Sequence, residues 1–230
     1  MRDPASRRLE SNSVVNTVLA TGAEMRITGP IERGAVVCVN GGQGGEVDGT
    51  WSASLEWLVR RLAPQIPELG FAEVKYRIKS WKRLDWCVAD AIAAVRETGA
   101  QRTLLLGYSM GGAVAIQIAA EATVERVLGL APWIPDRLDV GGLRGRRFDV
   151  LQGALDRNLP GIPGVNPLNS RRGFERAQAL GVEGDYTLIP GALHGIALRA
   201  GQNRLLPLPR AGVWARLVKT ELDRFQDSAD

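Results

Sequence analysis

Arg102-Thr103-Leu104-Leu105-Leu106-Gly107-Tyr108-Ser109-Met110-Gly111-Gly112-Ala113-Val114-Ala115-Ile116 is the stretch on which the fold turns. It opens as a short apolar run that suits a buried strand. After Gly-Tyr-Ser-Met-Gly-Gly it continues as Ala113 to Ala120, which suits a buried helix. A strand-to-helix turn this tight strains its central residue, and Gly107 and Gly111 must lack side chains for the two elements to approach. The Ser109 hydroxyl then stands above the sheet at the positive end of the following helix. The pattern Gly-x-Ser-x-Gly alone is weak evidence in a chain with 27 glycines; the strand before it and the helix after it make it a nucleophile elbow.

Outward from the elbow the chain alternates strand and helix patterns. Val14 to Ala20 and Glu24 to Thr28 read as a hairpin about Thr21-Gly22, and Ala35 to Val39 as an unbroken apolar strand running into Asn40-Gly41-Gly42-Gln43-Gly44-Gly45. From Ser52, Leu55, Leu58, Val59 and Leu62 recur with helical spacing until Pro64. Phe71 to Ile78 is a strand, and Leu84 to Thr98 a helix ended by Gly99. Beyond the elbow come strands at Val124 to Leu130, Phe148 to Leu151 and Tyr186 to Ile189. Helices are expected at Arg171 to Leu180 and from about Ala211 to Phe225. Strands apolar on both faces, alternating with helices, imply an α/β fold: a mostly parallel sheet with helices on both sides. The segment from Trp133 to Arg147 is too short for a cap domain. Residues 13–230 therefore read as one domain behind a flexible tail, 1–12.

Composition narrows the function classes. With 230 residues, 45% hydrophobic, the chain can bury a full core, and no apolar run reaches the ~20 residues of a membrane span. Met1 to Asn12 has no apolar segment of the secretory kind, so a cytoplasmic location is expected. Cys38 and Cys87 read as small buried hydrophobes, and a single histidine argues against a metal site. The net charge of +4 is spread over scattered basic residues with acidic ones between them. That pattern excludes a nucleic-acid-binding stripe and leaves attraction to anionic substrates as a minor theme.

A serine hydroxyl needs a base, and the base an orienting acid. His194 is the sole histidine and follows the last strand. Asp156 follows Phe148 to Leu151 through a turn containing Gly153, and is preferred over its competitors Asp136 and Asp139. Trp51, Trp81 and Trp133 fall in loops at the carboxyl ends of strands, where an apolar pocket would form, with Trp133 the best candidate for a wall.

Ser109, Asp156 and His194 in that order, with Gly107 to Gly112, Gly153 to Pro160 and His194-Gly195 about them, resemble the α/β-hydrolase family over nearly the whole chain, from about Val14 to Phe225. In size and in lacking a cap the chain is also similar to dienelactone-hydrolase-like members. Those often use cysteine where this chain has Ser109, so the narrower likeness carries no substrate information. The resemblance implies an oxyanion hole from the Met110 amide and a second amide in the early glycine loop. The family commonly has His-Gly-x there; Asn40-Gly41-Gly42 points to Gly42. The implied activity is hydrolysis of a small carboxylic ester or thioester through an acyl-enzyme, with neither metal nor organic cofactor. An acyltransferase using the same groups, or a non-catalytic receptor for a small ligand, stays open.

Overall fold

The five residues Ala35–Val39 are buried along their whole length, and their alternation divides the molecule into layers. The computed structural model describes residues 14–157 and 164–228; the expected tail, 1–12, lies outside them. The strands are β1 (Val14–Val18), β2 (Glu24–Thr28), β3 (Ala35–Val39), β4 (Val47–Asp48), β5 (Gly70–Lys75), β6 (Ile78–Lys79), β7 (Thr103–Tyr108), β8 (Val124–Leu130), β9 (Arg147–Gly153), β10 (Tyr186–Ile189), β11 (Ala197–Ala200) and β12 (Arg204–Pro207). The helices are α1 (Ala53–Leu62), α2 (Leu84–Thr98), α3 (Met110–Gln117), α4 (Pro167–Gln178) and α5 (Ala211–Asp227).

Eight strands make one sheet in the order β1-β2-β5-β3-β7-β8-β9-β10. The β1–β2 and β2–β5 pairings are antiparallel, and every pairing from β5 through β10 is parallel. Val37 and Val39 join Leu105, Val127 and Val150 in a core closed by α2, α3 and α4 through residues such as Ala91, Val95, Ala113 and Phe174. Val36 and Cys38 fall in the opposite core with Leu104, Leu106 and Leu128, closed by α1 and α5 through Leu55, Leu58, Trp214 and Phe225. Both cysteines are free and buried, as their sequence context suggests. No helix among the described residues is long and apolar enough to cross a membrane.

Local chemistry sets the element ends. Ser52 caps α1 by accepting from the Leu55 amide, and Gly99 closes α2 in the left-handed region, φ 63°. α4 begins at Pro167, four residues before the expected start. Asn166 caps it through the Leu168 amide, and proline at the first helical position gives up no hydrogen bond. The elbow helix is also shifted, to Met110–Gln117. The expected strand over Phe71 to Ile78 divides into β5 and β6, and β6 leaves the main sheet to pair with β4. Between β8 and β9 the only helical element is the short 3-10 turn Gly141–Leu143. A second small ribbon, β11–β12, follows His194 and is absent from the sequence expectations.

Candidate active site

Ser109 is the last residue before α3 and has φ 56° and ψ −120°, a region that costs a non-glycine residue about 1–3 kcal/mol. Its backbone is pinned on both sides. The Ser109 N–H donates to the Leu130 carbonyl at 3.0 Å, and its carbonyl accepts from Gly112 and from Trp133, both at 2.9 Å. A Cβ on Gly107 would lie 2.5 Å from the Gly111 carbonyl oxygen, and one on Gly111 would lie 2.1 Å from that of Val39. Both contacts are with backbone, which cannot swing away, so glycine is required at each position.

His194 leaves β10 through a turn in which Gly191 has φ 72°. Its Nε2 lies 3.0 Å from Ser109 Oγ and its Nδ1 2.8 Å from Asp156 Oδ2. A carboxylate only accepts, so Nδ1 carries the proton in the neutral ring. Nε2 is then free to accept from the serine hydroxyl. The ring lies against Tyr108, centroids 5.3 Å apart. Burial pushes the Tyr108 phenol up to about 12, against a hydrogen bond with Ser54 that acts the other way and with Asp156 adding to the rise, so it stays a neutral wall.

The Asp156 side chain is fully buried. Besides His194 it accepts from Gln152 Nε2 at 2.8 Å, and its Oδ1 accepts from the Val165 amide at 2.9 Å. Gln152 in turn accepts from Ser170 Oγ at 2.9 Å, and Ser170 meets the Tyr186 hydroxyl at 2.7 Å. Sequence reasoning missed Gln152; its signal was an amide inside the apolar run of β9, one turn ahead of the acid. The competitors lie elsewhere. The Asp139 carboxylate accepts from Gly141 at 2.8 Å as a turn-former, and Asp136 is exposed, its carbonyl bound by Arg176.

Asn40 settles the glycine loop's conformation. It is buried, accepts from the Gly41 amide at 2.7 Å, and donates from Nδ2 to the Thr50 carbonyl at 2.7 Å; its own carbonyl accepts from Tyr76. With the Gly41 amide taken, Gly42 is the next donor in line, and it lines the cavity that holds Ser109. Met110, as the first residue of α3, has an amide without an intrahelical acceptor.

That cavity has a volume of about 610 Å³ and runs from Ser109 and His194 to Trp51, Leu155, Leu198 and Leu208. Of the three tryptophans expected to line a pocket, only Trp51 does. Trp81 and Trp133 stack on each other with centroids 6.3 Å apart instead. Trp133 is partly buried against the core that α2 and α3 close, and its contribution to the elbow is its backbone N–H.

A model of the alpha/beta hydrolase family matches residues 36–230. The chain belongs to the α/β-hydrolase family. Among solved structures it is similar to a monoacylglycerol lipase from Paleococcus ferrophilus, with 15% identity, TM-score 0.62, and 88% of this chain and 99% of that one covered. It is similar to an esterase from Pyrococcus furiosus at 12% identity and TM-score 0.63, covering 99% and 95% of the two chains. A sugar hydrolase from Lactococcus lactis matches at 14% identity and TM-score 0.67, covering 95% and 100%. At these identities the likeness is one of fold. A search of curated proteins finds no match. Family and neighbours together support a hydrolase.

Proposed function

We propose that this α/β-hydrolase cleaves a carboxylic ester or thioester through an acyl-enzyme, with Ser109 as nucleophile, His194 as base and Asp156 as its orienter. The observation that carries this reading is the unbroken chain from Ser109 Oγ through His194 to Asp156, at 3.0 and 2.8 Å, ending in a buried acid held by two further donors. Ser109 Oγ attacks the carbonyl carbon while His194 Nε2 takes its proton. The negative charge that forms on the carbonyl oxygen is met by the amides of Met110 and Gly42. Collapse of the intermediate expels the alcohol or thiol, which leaves with the proton from His194. A water molecule then repeats the sequence on the acyl-serine, releasing the acid.

The test is covalent. A fluorophosphonate should label the protein once, on the peptide carrying Ser109, and labelling and turnover of p-nitrophenyl esters should disappear together in Ser109→Ala. Labelling elsewhere, or turnover surviving within tenfold of the parent, would sink the assignment.

A further inference from the structure

We propose that the cavity beside Ser109 selects esters or thioesters bearing an anionic oxygen group, a carboxylate or a phosphate, held by Lys79 and Arg157. This deepens the serine-hydrolase reading and rests on it.

The charge of the cavity wall is one-sided. Lys79, Arg157 and Arg199 line it, and among the described residues no aspartate or glutamate does. Residues 158–163, which follow Arg157, are Asn-Leu-Pro-Gly-Ile-Pro in sequence and bring no charge. Asp156 sits behind His194, fully buried and already accepting from three donors. Arg199 is neutralised by Glu56 at 2.6 Å. Lys79 and Arg157 are different: among the described residues neither has a carboxylate within ion-pair distance.

Lys79 is the more telling of the two. It is half-buried, and its Nζ donates to Thr50 Oγ1 at 2.9 Å. The Thr50 carbonyl in turn holds Asn40, the residue that shapes the loop carrying Gly42. The cation is thus linked through Thr50 to the loop that carries Gly42. Burial lowers its pKa, and no acid offsets that loss of hydration. Of the other three lysines, Lys75 meets Glu24 and Lys219 meets Asp223, while Lys82 is exposed. A half-buried ammonium with no carboxylate partner among the described residues, lining the same cavity as Ser109, has its complement in a ligand anion. Arg157 stands at the mouth, one residue past the anchored Asp156, and offers the planar fork suited to carboxylate or phosphate. The same cavity is lined by Trp51, Leu155, Leu193, Leu198 and Leu208, which suits a hydrophobic part of the substrate beside its charge.

Matched substrate pairs test this and separate the two sources of charge. One pair places a carboxylate on the acyl part: p-nitrophenyl hemiglutarate against p-nitrophenyl hexanoate. The other places phosphates on the leaving group: butanoyl-coenzyme A against the butanoyl thioester of N-acetylcysteamine. The expected result is a preference of about tenfold or more in kcat/KM for the anionic member of at least one pair, declining as salt is added. Lys79→Met and Arg157→Gln should each lower that anionic-to-neutral ratio about tenfold, chiefly through KM, and Lys79→Arg should restore part of it. Arg137→Gln, an exposed charge outside the cavity, should leave the ratio unchanged. Whichever pair shows the preference identifies the part that carries the charge. If both ratios stay near one, or if the Lys79 and Arg157 variants do not alter them while Ser109 still labels, the anion subsite is wrong and the serine-hydrolase reading stands. If Ser109 does not label, both fall.

Discussion

At the amino ends of β8 and β9, Arg126 lies 3.4 Å from both Asp149 and Glu221, and Arg147 meets Asp149 at 2.9 Å and Asp185 at 2.6 Å. At the carboxyl ends of the same sheet, Ser109 is held at φ 56°, and Lys79 and Arg157 face a cavity without carboxylates among the described residues. Both ends place charge near a core. At the first end both arginines have carboxylate partners within the chain. The second leaves a strained serine and cations without carboxylate partners among the described residues, arrangements that lower stability unless a ligand meets them. Substitutions at the carboxyl end should therefore register in activity with little loss of stability, and those at the amino end should leave activity unchanged and register, in either direction, only in stability.

The strongest contrast is expected at Ser109. Ser109→Ala should lower kcat about 10⁶-fold while leaving the thermal midpoint within a few degrees of the parent, since no core contact is removed. A variant that lost its fold together with its activity would erase the distinction between the two ends. Asp156→Asn comes next, at about 10⁴-fold, because an amide facing Nδ1 favours the wrong imidazole tautomer. Asp136→Asn, whose carboxylate is exposed, should stay within a factor of about two in kcat/KM, as surface substitutions generally do. Equal losses from the two would remove the special standing of Asp156.

Gly42→Ala probes the same end more gently. Its Cβ would fall 2.2 Å from Met110 Sδ, at the flexible end of a side chain, and 2.9 Å from the Trp81 ring, so the fold should survive while the loop shifts away from the first turn of α3. Misplacing an amide that meets the oxyanion costs on the order of 10² in kcat. Steady-state kinetics showing a change in KM alone would count against Gly42 as that donor.

Much of this was legible in the chain because local rules and tertiary structure agree there. The elbow and the αL stop at Gly99 are written in short stretches whose geometry is fixed by sterics, and Ser109, Asp156 and His194, each picked out just past a strand, lie within hydrogen-bond distance in turn. What could not be read depends on partners distant in sequence. β11–β12 is built from two four-residue strands, Ala-Leu-Arg-Ala and Arg-Leu-Leu-Pro, too short for an alternating pattern to stand out, and turns through Gln202 and Asn203, both at positive φ. It is held by Ser54, which accepts from the Ile196 and Ala197 amides, and by Glu56, which binds Arg199. The start of α4 was hidden because Asn166-Pro167 signals a loop as readily as a helix start. Trp81 and Trp133 were expected to face the substrate from their loop positions, but aromatic stacking turned them toward each other.

The smallest effect is expected at the amino end, and its sign is the informative part. Burial first, and Asp149 second, raise the Glu221 carboxyl above its ordinary range, while Arg224 and Arg126 act in the opposite direction. A carboxyl whose folded pKa exceeds its unfolded one binds its proton more tightly when folded. Its contribution to stability is therefore fully present below the unfolded pKa and is lost as pH rises through the folded one. At pH 7.5 the ionised Glu221 is thus a net cost, despite its contacts at 3.4 Å with Arg126 and 2.7 Å with Arg224. Glu221→Gln keeps an acceptor for Arg224 and removes the repulsion from Asp149, so it should be neutral or stabilising by up to ~1 kcal/mol at pH 7.5. Near pH 4, around the ordinary range of glutamate, the difference should shrink toward zero. Urea titrations at the two pH values measure it, with ester turnover as a control that should not change. A loss of more than ~1 kcal/mol at pH 7.5 would mean that Glu221 holds Arg126 and α5 in place by attraction, and that the closed charges of this end stabilise the fold rather than merely cancel.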